Sequence, residues 1–281
     1  MIRVLSFGAG VQSTALARMS LDGAFGLPLL DAMIFADPGA ELPETIENAA
    51  EIQAACHNRG VDFIRVTNTR SRSSGNIYTD LMQANPTGRW AAPPLFVRDE
   101  GGDGFTNRQC TGDFKVDPIM KSLRIVSGVG RRRKFPDGPE VEQWLGISAD
   151  EAQRQKVSDR PWLVMRHPLI DLKLNRAACV EWLKVNGYRV PAKSACFFCP
   201  YQSRARWRAL KADRPALFEK ACVLDEHLRA HREAIGLKGT PYLLADREPL
   251  READLLTKRE RARRADHDDL FDDECSGVCG V

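Results

Sequence analysis

Cysteine is the residue type whose positions in this chain most directly suggest chemistry. Five of the eight cysteines lie beside turns or helix-breaking residues, namely Cys110, Cys196, Cys199, Cys275 and Cys279. The pair in "KSACFFCPYQS" has CxxC spacing, which aims two thiolates at one point and is typical of zinc and iron–sulfur sites. Spacing alone does not distinguish between these soft-metal sites, so both are candidates.

The remaining cysteines, Cys56, Cys179 and Cys222, lie singly in helical patterns such as "AAEIQAACHNRG". Free cysteine packs as a small apolar side chain, so we predict buried core positions for them. The N-terminal "MIRVLSF" has the pattern of a short strand rather than a signal peptide, and no apolar run approaches membrane-spanning length. We therefore expect a cytoplasmic protein with no membrane partner, whose cysteines are ligands, catalytic groups or buried thiols rather than disulfides.

The composition is typical of a soluble globular chain. The 281 residues are 43% hydrophobic and 28% charged, which suits one large domain or one domain with a smaller appendage. The formal net charge of +3 is too small to imply a nucleic-acid partner by itself. The sequence does not indicate the oligomeric state.

A second candidate site lies in "VLSFGAGVQSTALA", residues 4–17, where an apolar run meets a glycine-rich turn and then a helical pattern. A strand–turn–helix of this kind presents backbone N–H groups and the positive end of a helix to an anion. The stretch is neither a Walker A motif nor the full GxGxxG dinucleotide pattern. It predicts a phosphate-binding loop, with a purely structural tight turn as the alternative.

The elements that position these residues alternate between strand and helix in the first third of the chain. Strand patterns in "RVLSF", "DAMIFAD" and "DFIRVTN" are separated by two helical patterns. This order predicts an α/β fold with a parallel sheet and crossover helices, Rossmann-like, whose ligands lie at the carboxyl ends of the strands. We predict a nucleotide-binding α/β domain over residues 1–190, with 68–109 as a lid or substrate loop. The CxxC turn, a helical region and a cysteine-containing tail then occupy residues 191–281.

The second strand pattern leads into "FADPGAELPET", and with it the chain resembles the phosphoadenosine phosphosulfate (PAPS) reductase family. That family belongs to the pyrophosphatase-loop, adenine nucleotide α-hydrolase-like group. Its Ser-Phe-Gly loop stands here as Ser6-Phe7-Gly8, and its DTG and PET motifs stand as Asp37-Pro38-Gly39 and Pro43-Glu44-Thr45. Further along, the family's later motifs are matched in order by "CTGDFKVDPIMKSL", "WLGISADEAQR", "HPLIDL", "ACFFCP" and "DECSGVCG". The resemblance therefore covers most of the chain.

The resemblance implies a set of nucleotide-binding residues. In the family the first-strand loop binds the phosphates, and the second-strand acid and its turn lie near the adenosine, which implies nucleoside contacts from Asp37 and Gly39. The stretch "WLGISADEAQR" adds Gly146 and Arg154. The loop residues carried over are Ser6, Phe7, Gly8, Ala9, Gly10, Gln12, Ser13 and Thr14.

One departure from the resemblance bears on ATP cleavage. The ATP-splitting branch of the group has lysine and aspartate where Val11 and Gln12 stand here. A missing lysine weakens the stabilisation of a departing pyrophosphate. Arg154 or the run "RRRK" at 131–134 could supply this charge, although charge runs are usually solvated loops. The sequence therefore predicts adenine-nucleotide binding and leaves ATP cleavage open.

For the cysteines, the resemblance implies that Cys110 joins Cys196 and Cys199 as a ligand of a [4Fe–4S] cluster. The family's second adjacent cysteine is replaced by threonine here, so the fourth position is open or is completed by Cys275 or Cys279. In the reductases a tail cysteine attacks the sulfonate sulfur, which implies Cys275 as nucleophile and Cys279 as resolving thiol. The alternative is a zinc site of Cys196, Cys199, Cys275 and Cys279.

Three functional hypotheses follow. The first is an iron–sulfur enzyme similar to PAPS or adenylylsulfate reductase, which uses an external thiol reductant. The second is an ATP-dependent sulfurtransferase that activates tRNA or DNA as an adenylate and transfers sulfur from a donor. The basic segments "SRARWRALK" and "KRERARR", with Trp207 available for base stacking, favour it. The third is a non-catalytic zinc-stabilised nucleic-acid-binding module, which accounts for the CxxC pair but not for the phosphate loop.

Overall fold

The computed structural model describes residues 1–70, 73–83, 93–128, 138, 140–256 and 260. The strands in this part of the chain are β1 (Ile2–Phe7), β2 (Ala32–Ala36), β3 (Asp62–Val66), β4 (Phe96–Asp99), β5 (Gly102–Phe105), β6 (Val141–Leu145), β7 (Leu163–Arg166) and β8 (Thr240–Tyr242). The α-helices are α1 (Val11–Asp22), α2 (Pro43–Asn58), α3 (Ile77–Met82), α4 (Asp117–Val126), α5 (Pro168–Asp171), α6 (Arg176–Val185), α7 (Arg204–Asp213) and α8 (Pro215–Ala230).

The main sheet has five strands in the order β3-β2-β1-β6-β7. Each neighbouring pair is parallel, and Val4 of β1 lies opposite Ala32 on one side and Gln143 on the other. The predicted α/β fold with a parallel sheet and crossover helices is therefore confirmed. The edge strand β7 was not predicted, because its four residues are too few to show a periodic pattern.

Helices cover both faces of this sheet. All five residues of β2 are buried, as expected for a parallel strand with a helical layer on each side. Along β1, Leu5 and Phe7 pack in the core that contains α1 and α2, whereas Val4 packs with Leu123 of α4 on the opposite face. This alternation follows from the two-residue period of a strand.

A second sheet is antiparallel, with the strand order β5-β4-β8. It was not predicted, since "GDGF" of β5 is exposed along its whole length and has no apolar alternation. Together with α3, the hairpin of β4 and β5 lies inside the 68–109 segment predicted as a lid or substrate loop. The hydrophobic cluster of this region joins Ala40 and Phe114 to Phe198 and Leu244, so the domain boundary at residue 190 stays a prediction.

The predicted core cysteines lie in the core. Cys56, Cys179 and Cys222 are fully buried. Burial raises the pKa of each of these thiols to about 11, so they are protonated at neutral pH and unreactive. The prediction of three structural thiols is confirmed.

The helical stretch after the CxxC turn is two helices rather than one. It is interrupted at Arg214, and Pro215 then occupies the first turn of α8, where its missing N–H has no intrahelical partner to lose. The longest α-helices in the described part of the chain, α2 and α8, have 16 residues each. None of the described helices combines the length and the apolar character that a bilayer-spanning helix needs.

Candidate functional site

The glycine-rich loop connects β1 to α1 and leaves the start of the helix uncapped. Gly10 is the N-cap residue, it has extended backbone angles, and no side chain bonds to the first helical N–H groups. The first turn of α1 also contains no acidic residue. Because these N–H groups lack an intrahelical partner and lie at the positive end of the helix, they form an anion site.

A cavity of about 820 Å³ lies in front of this helix end, at the carboxyl edge of the parallel sheet. This is the location expected for the ligand of an open α/β sheet. Both parts of the predicted site line it. The predicted residues on its wall are Ser6, Gly8, Gly10, Gln12, Ser13, Cys110, Gly146, Arg154, Cys196 and Cys199.

Three predicted loop residues lie behind the cavity wall. Phe7, Ala9 and Thr14 are buried. The Asn48 side chain of α2 donates to the Ala9 carbonyl oxygen at 3.0 Å and to Thr14 Oγ1 at 2.8 Å. These contacts hold the loop in place from the second helix. Nucleotide contacts from Phe7, Ala9 and Thr14 stay predictions.

Asp37 and Gly39 form a turn that is held from two sides. The Asp37 carboxylate accepts hydrogen bonds from Arg65 Nε at 3.0 Å and from the Gly39 N–H at 2.8 Å. Gly39 has φ +74°, and a Cβ there would lie 2.9 Å from the Asn76 Cα. Only glycine fits this position without strain. The cavity is lined by Pro38 rather than by its two neighbours, so nucleoside binding by Asp37 and Gly39 stays a prediction.

Gly146 lets the end of β6 approach the phosphate loop closely. A Cβ on this residue would lie 2.9 Å from both the backbone nitrogen and the Cα of Ser13. Backbone atoms of a packed helix cannot yield as the end of a flexible side chain can. Glycine at this position therefore sets how closely the end of β6 approaches the start of α1 beside the cavity.

We expect Gly146→Ala to destabilise the protein by about 1–3 kcal/mol, the usual cost of overpacking, and to displace the start of α1. Urea denaturation of purified protein measures the change. Gly112→Ala is the matched control, because a Cβ at Gly112 meets no atom within 4 Å. Equal denaturation midpoints for the two variants would contradict the close approach at Gly146.

A cation from α6 reaches the phosphate loop. Arg176 Nη1 donates to Gln12 Oε1 at 2.9 Å, and both residues line the cavity. Gln12 also donates to Glu151 Oε2 at 3.3 Å. Arg154, which the sequence suggested as the compensating charge, is instead paired with Glu151 at 2.7 Å. Arg176 was not predicted, because 164 residues separate it from Gln12.

The CxxC turn is docked on the segment that follows β2. The Phe197 N–H donates to the Ala40 carbonyl oxygen at 2.9 Å, and Cys196 forms an antiparallel bridge with Glu41. Within the turn the Cys199 N–H donates to the Cys196 carbonyl oxygen at 3.0 Å. Phe197 and Phe198 are buried behind the turn, in the hydrophobic cluster that also contains Phe114 and Leu244.

A buried carboxylate lies beside Cys196. Glu41 accepts from Lys115 Nζ at 2.6 Å and from Ser194 Oγ at 3.2 Å. Burial acts to lower the pKa of Lys115, but the Glu41 carboxylate outweighs it and raises that pKa above its usual value. Lys115 therefore stays cationic on the cavity wall, next to the cysteines.

The three predicted cluster ligands line the same cavity. Burial raises the pKa of Cys196 well above its usual value, and Glu41 adds to the rise. Burial also raises the pKa of Cys199, and the neighbouring Cys110 adds to it. The thiols are thus near enough to influence one another. Without a bound cation both CxxC thiols are protonated at neutral pH.

Three thiols on the wall of one cavity are soft donors of the kind that both iron–sulfur clusters and zinc take, so which group they hold stays a prediction. Among the described residues no group of three or more histidine, cysteine or acidic side chains is arranged to hold a metal ion. The zinc alternative needs Cys275 and Cys279, which lie outside the described residues, as does the "RRRK" run.

The cavity wall is strongly cationic. Two of its side chains are carboxylates, Asp150 and Glu151, and six are cations. Of the six, only the Lys115 and Arg154 side chains have a salt bridge within the described part of the chain. This excess of positive charge favours a phosphate-rich ligand. The cations are Arg108, Lys115, Arg154, Arg176, Lys193 and Arg206.

The basic segment "SRARWRALK" contributes Arg206 to the cavity wall but does not provide the stacking residue that the sequence suggested. Trp207 has no exposed surface and packs in the core of α7 and α8, so its predicted role in base stacking is wrong. Arg204 and Arg208 form ion pairs with Asp246 and Glu260. The spacing of Trp207 and Leu210 places both on the buried face of α7.

No family model and no curated protein matches the sequence. Solved structures do match. The chain is similar to a PAPS reductase. This phosphoadenylyl-sulfate reductase, from Candida auris in a phosphate complex, is 12% identical, with a TM-score of 0.42 over 68% of this chain and 75% of its own. The chain is also similar to the U34-tRNA thiolase NcsA from Methanococcus maripaludis, a structure with its [4Fe-4S] cluster. The two sequences are 11% identical, and the TM-score is 0.41 over 84% of this chain and 73% of the thiolase chain.

Proposed function

We propose that this chain is an enzyme that binds an adenine nucleotide by its phosphates and performs sulfur chemistry beside it. One observation carries the proposal. A single cavity is lined both by the uncapped start of α1 and by Cys110, Cys196 and Cys199. A phosphate held at the helix end thus shares one space with three sulfur atoms. The cationic wall supports the same ligand.

Sulfonucleotide reduction is the first candidate reaction, on the resemblance to PAPS reductases. The Cys275 thiolate attacks the sulfur of adenylylsulfate or PAPS, the sulfur–oxygen bond to the phosphate breaks, and the nucleoside phosphate leaves. Cys279 then attacks the Cys275 sulfur, which releases sulfite and leaves a disulfide. An external dithiol reduces that disulfide and is itself oxidised. Arg176 and the α1 N–H groups hold the leaving phosphate in this reaction.

ATP-dependent sulfur transfer is the second candidate, and the position of Arg176 favours it. Val11 and Gln12 replace the lysine and aspartate of the ATP-splitting branch. The Arg176 guanidinium lies against Gln12 and restores a cation at the start of α1. A cation there stabilises the charge that develops on a departing pyrophosphate.

The cysteine wall supports an iron–sulfur cofactor for either reaction. Cys110, Cys196 and Cys199 would hold the cluster. A [4Fe–4S] cluster with three cysteine ligands supplies one iron position that is open to a sulfur atom or to a fourth ligand. Lys115, fixed by Glu41, places a positive charge at the same wall. That charge stabilises anionic sulfur near the cysteines.

The test is anaerobic purification with iron and sulfide quantified, followed by incubation with labelled ATP, adenylylsulfate and PAPS in the presence of a dithiol. We expect sulfite release from one sulfonucleotide. Cys275→Ser should abolish this release, because a hydroxyl is a far weaker nucleophile than a thiolate. Cys179→Ser is the control, since Cys179 is fully buried in α6 and should leave sulfite release intact.

The other outcomes distinguish the remaining hypotheses. If ATP yields AMP and pyrophosphate while no sulfite forms, the second reaction replaces the first. A colourless, zinc-loaded protein that leaves all three nucleotides unchanged would overturn both reactions. Only a zinc-stabilised nucleic-acid-binding module would then remain.

A further inference from the structure

A row of aromatic and cationic side chains leads from the hairpin of β4 and β5 to the mouth of the cavity. The Phe105 and Tyr201 rings stack with their centroids 5.7 Å apart and an interplanar angle of 28°. The Arg108 guanidinium carbon lies 5.4 Å from the centroid of the Tyr201 ring. Phe105 and Tyr201 are 47% and 48% exposed, which is unusual for large rings that already stack on each other.

Cations without carboxylate partners line the same cavity as Tyr201. Arg108, Lys193 and Arg206 line the cavity, and none of them forms a salt bridge within the described part of the chain. Arg206 Nη2 donates to the Lys193 carbonyl oxygen at 3.0 Å, which ties α7 to the segment before the CxxC turn. By contrast, Arg204 and Arg208 on the same helix are neutralised by acidic side chains. The unpaired charge is thus concentrated at the cavity mouth.

We propose that this mouth surface binds single-stranded nucleic acid. It consists of Phe105, Arg108, Lys193, Tyr201 and Arg206. Exposed aromatic rings stack on unpaired bases of any sequence, and nearby cations bind the phosphates between them. A duplex hides the faces of its bases, so the exposed rings specify a single strand. The negatively charged sugar–phosphate backbone of a nucleic acid complements these three unpaired cations.

The mouth surface lies next to the sulfur atoms. Tyr201 follows Cys199 by two residues, and both line the same cavity. A base that contacts the exposed part of the Phe105–Tyr201 pair is therefore held at the opening that leads to the cysteines and the phosphate loop. The bound single strand is the acceptor in the sulfur-transfer reaction proposed above, and its role as acceptor rests on that proposed function. Binding itself needs no turnover.

Fluorescence anisotropy with a labelled mixed-sequence 20-nucleotide single strand, as RNA and as DNA, tests the inference without any nucleotide cofactor. We expect the wild-type protein to bind the single strand more tightly than the corresponding duplex. Tyr201→Leu should weaken binding about tenfold, since stacking on one aromatic ring accounts for roughly that factor. Tyr201→Phe keeps the ring and should restore the wild-type affinity. Arg206→Gln should reduce the slope of log affinity against log salt by about 0.7.

Lys184→Gln is the matched control for the removed charge. Lys184 is also exposed, but it lies at the far end of α6 from the cavity. Arg176 in the first turn of α6 lines the cavity, whereas Lys184 is in the last turn. Its loss should change neither affinity nor salt slope. Equal affinities of wild type and Tyr201→Leu for the single strand, or equal binding of duplex, would overturn the inference. So would a Tyr201→Leu variant that loses affinity for ATP alone, because the rings would then hold the base of the mononucleotide.

Direct binding of labelled ATP and adenylylsulfate to the same wild-type preparation separates the two proposals. Nucleotide binding without single-strand binding overturns the mouth surface and leaves the proposed function intact. Single-strand binding without nucleotide binding supports the mouth surface and overturns the proposed function.

Discussion

Replacing Cys196 with serine is expected to abolish iron binding by the anaerobically purified protein. The wild type should contain about four iron atoms per chain and be brown. A serine hydroxyl keeps its proton at neutral pH and does not replace a thiolate as a ligand of iron. The backbone bridge between Cys196 and Glu41 positions this residue, and serine can keep the bridge, so the variant changes the ligand atom alone. Iron and sulfide analysis with the visible absorption spectrum measures the loss.

Cys222→Ser is the control for this prediction. Cys222 is fully buried in α8 and does not line the cavity, so this variant should stay brown and keep its iron. Cys110→Ser provides a second test at a position that is only partly buried, where the substitution is less disruptive to folding. Full iron content in both the Cys196 and the Cys110 variants would show that the cluster is not held at this wall. One zinc per wild-type chain would favour the zinc alternative instead.

The parts of the fold that the sequence predicted are those determined by local patterns. β1, β2 and β3 are runs of apolar residues separated by helices with clear periodicity, and their parallel pairing follows from that order. The loop before α1 could be identified because small residues between a strand and a helix are typical of loops that present backbone N–H groups to an anion. Position along the chain was therefore enough to place one half of the site.

The antiparallel sheet could not be predicted because it depends on distant pairing. β8 pairs with β4 across a long stretch of chain, and β5 has no apolar alternation to reveal it. The exposed pair of Phe105 and Tyr201 exists only once this hairpin has met the residues after the CxxC turn. The aromatic residue that the sequence selected, Trp207, belongs to the core. Burial is a property of the assembled helix pair rather than of the local sequence.

The cation beside the phosphate loop also depends on a contact between distant parts of the chain, so the local sequence did not reveal it. The sequence suggested Arg154 or the run at 131–134 as the charge that replaces the missing lysine, and the run lies outside the described residues. The Arg154 guanidinium forms an ion pair with Glu151. Arg176 opens α6, and its position next to Gln12 is set by the packing of α6 against α1. Asn175 caps the start of α6, and a cap of this kind indicates where a helix begins. It does not indicate that the helix begins beside Gln12.

Arg176→Gln is therefore expected to weaken the binding of adenine nucleotides through their phosphates. A charge-assisted hydrogen bond contributes about 1.5–3 kcal/mol, and the exposed position of Arg176 places the loss near the lower end. This corresponds to about a tenfold weaker affinity. The effect should grow from AMP to ATP and be absent for adenosine, because the guanidinium acts on phosphate charge. Equilibrium binding of adenosine, AMP, ADP and ATP to wild type and variant measures it.

Arg154→Gln is the matched substitution, since Arg154 also lines the cavity and carries the same charge. Its guanidinium is already paired with Glu151 and is 62% exposed, so we expect less than about a threefold loss of affinity for ATP. Arg176→Lys keeps the charge and should recover part of the binding that Arg176→Gln loses. If Arg154→Gln were the more damaging variant, Arg154 would be the cation that replaces the missing lysine. If adenosine lost as much affinity as ATP, Arg176 would act on the position of Gln12 and the loop rather than on phosphate, and the anion site would depend on the helix end alone.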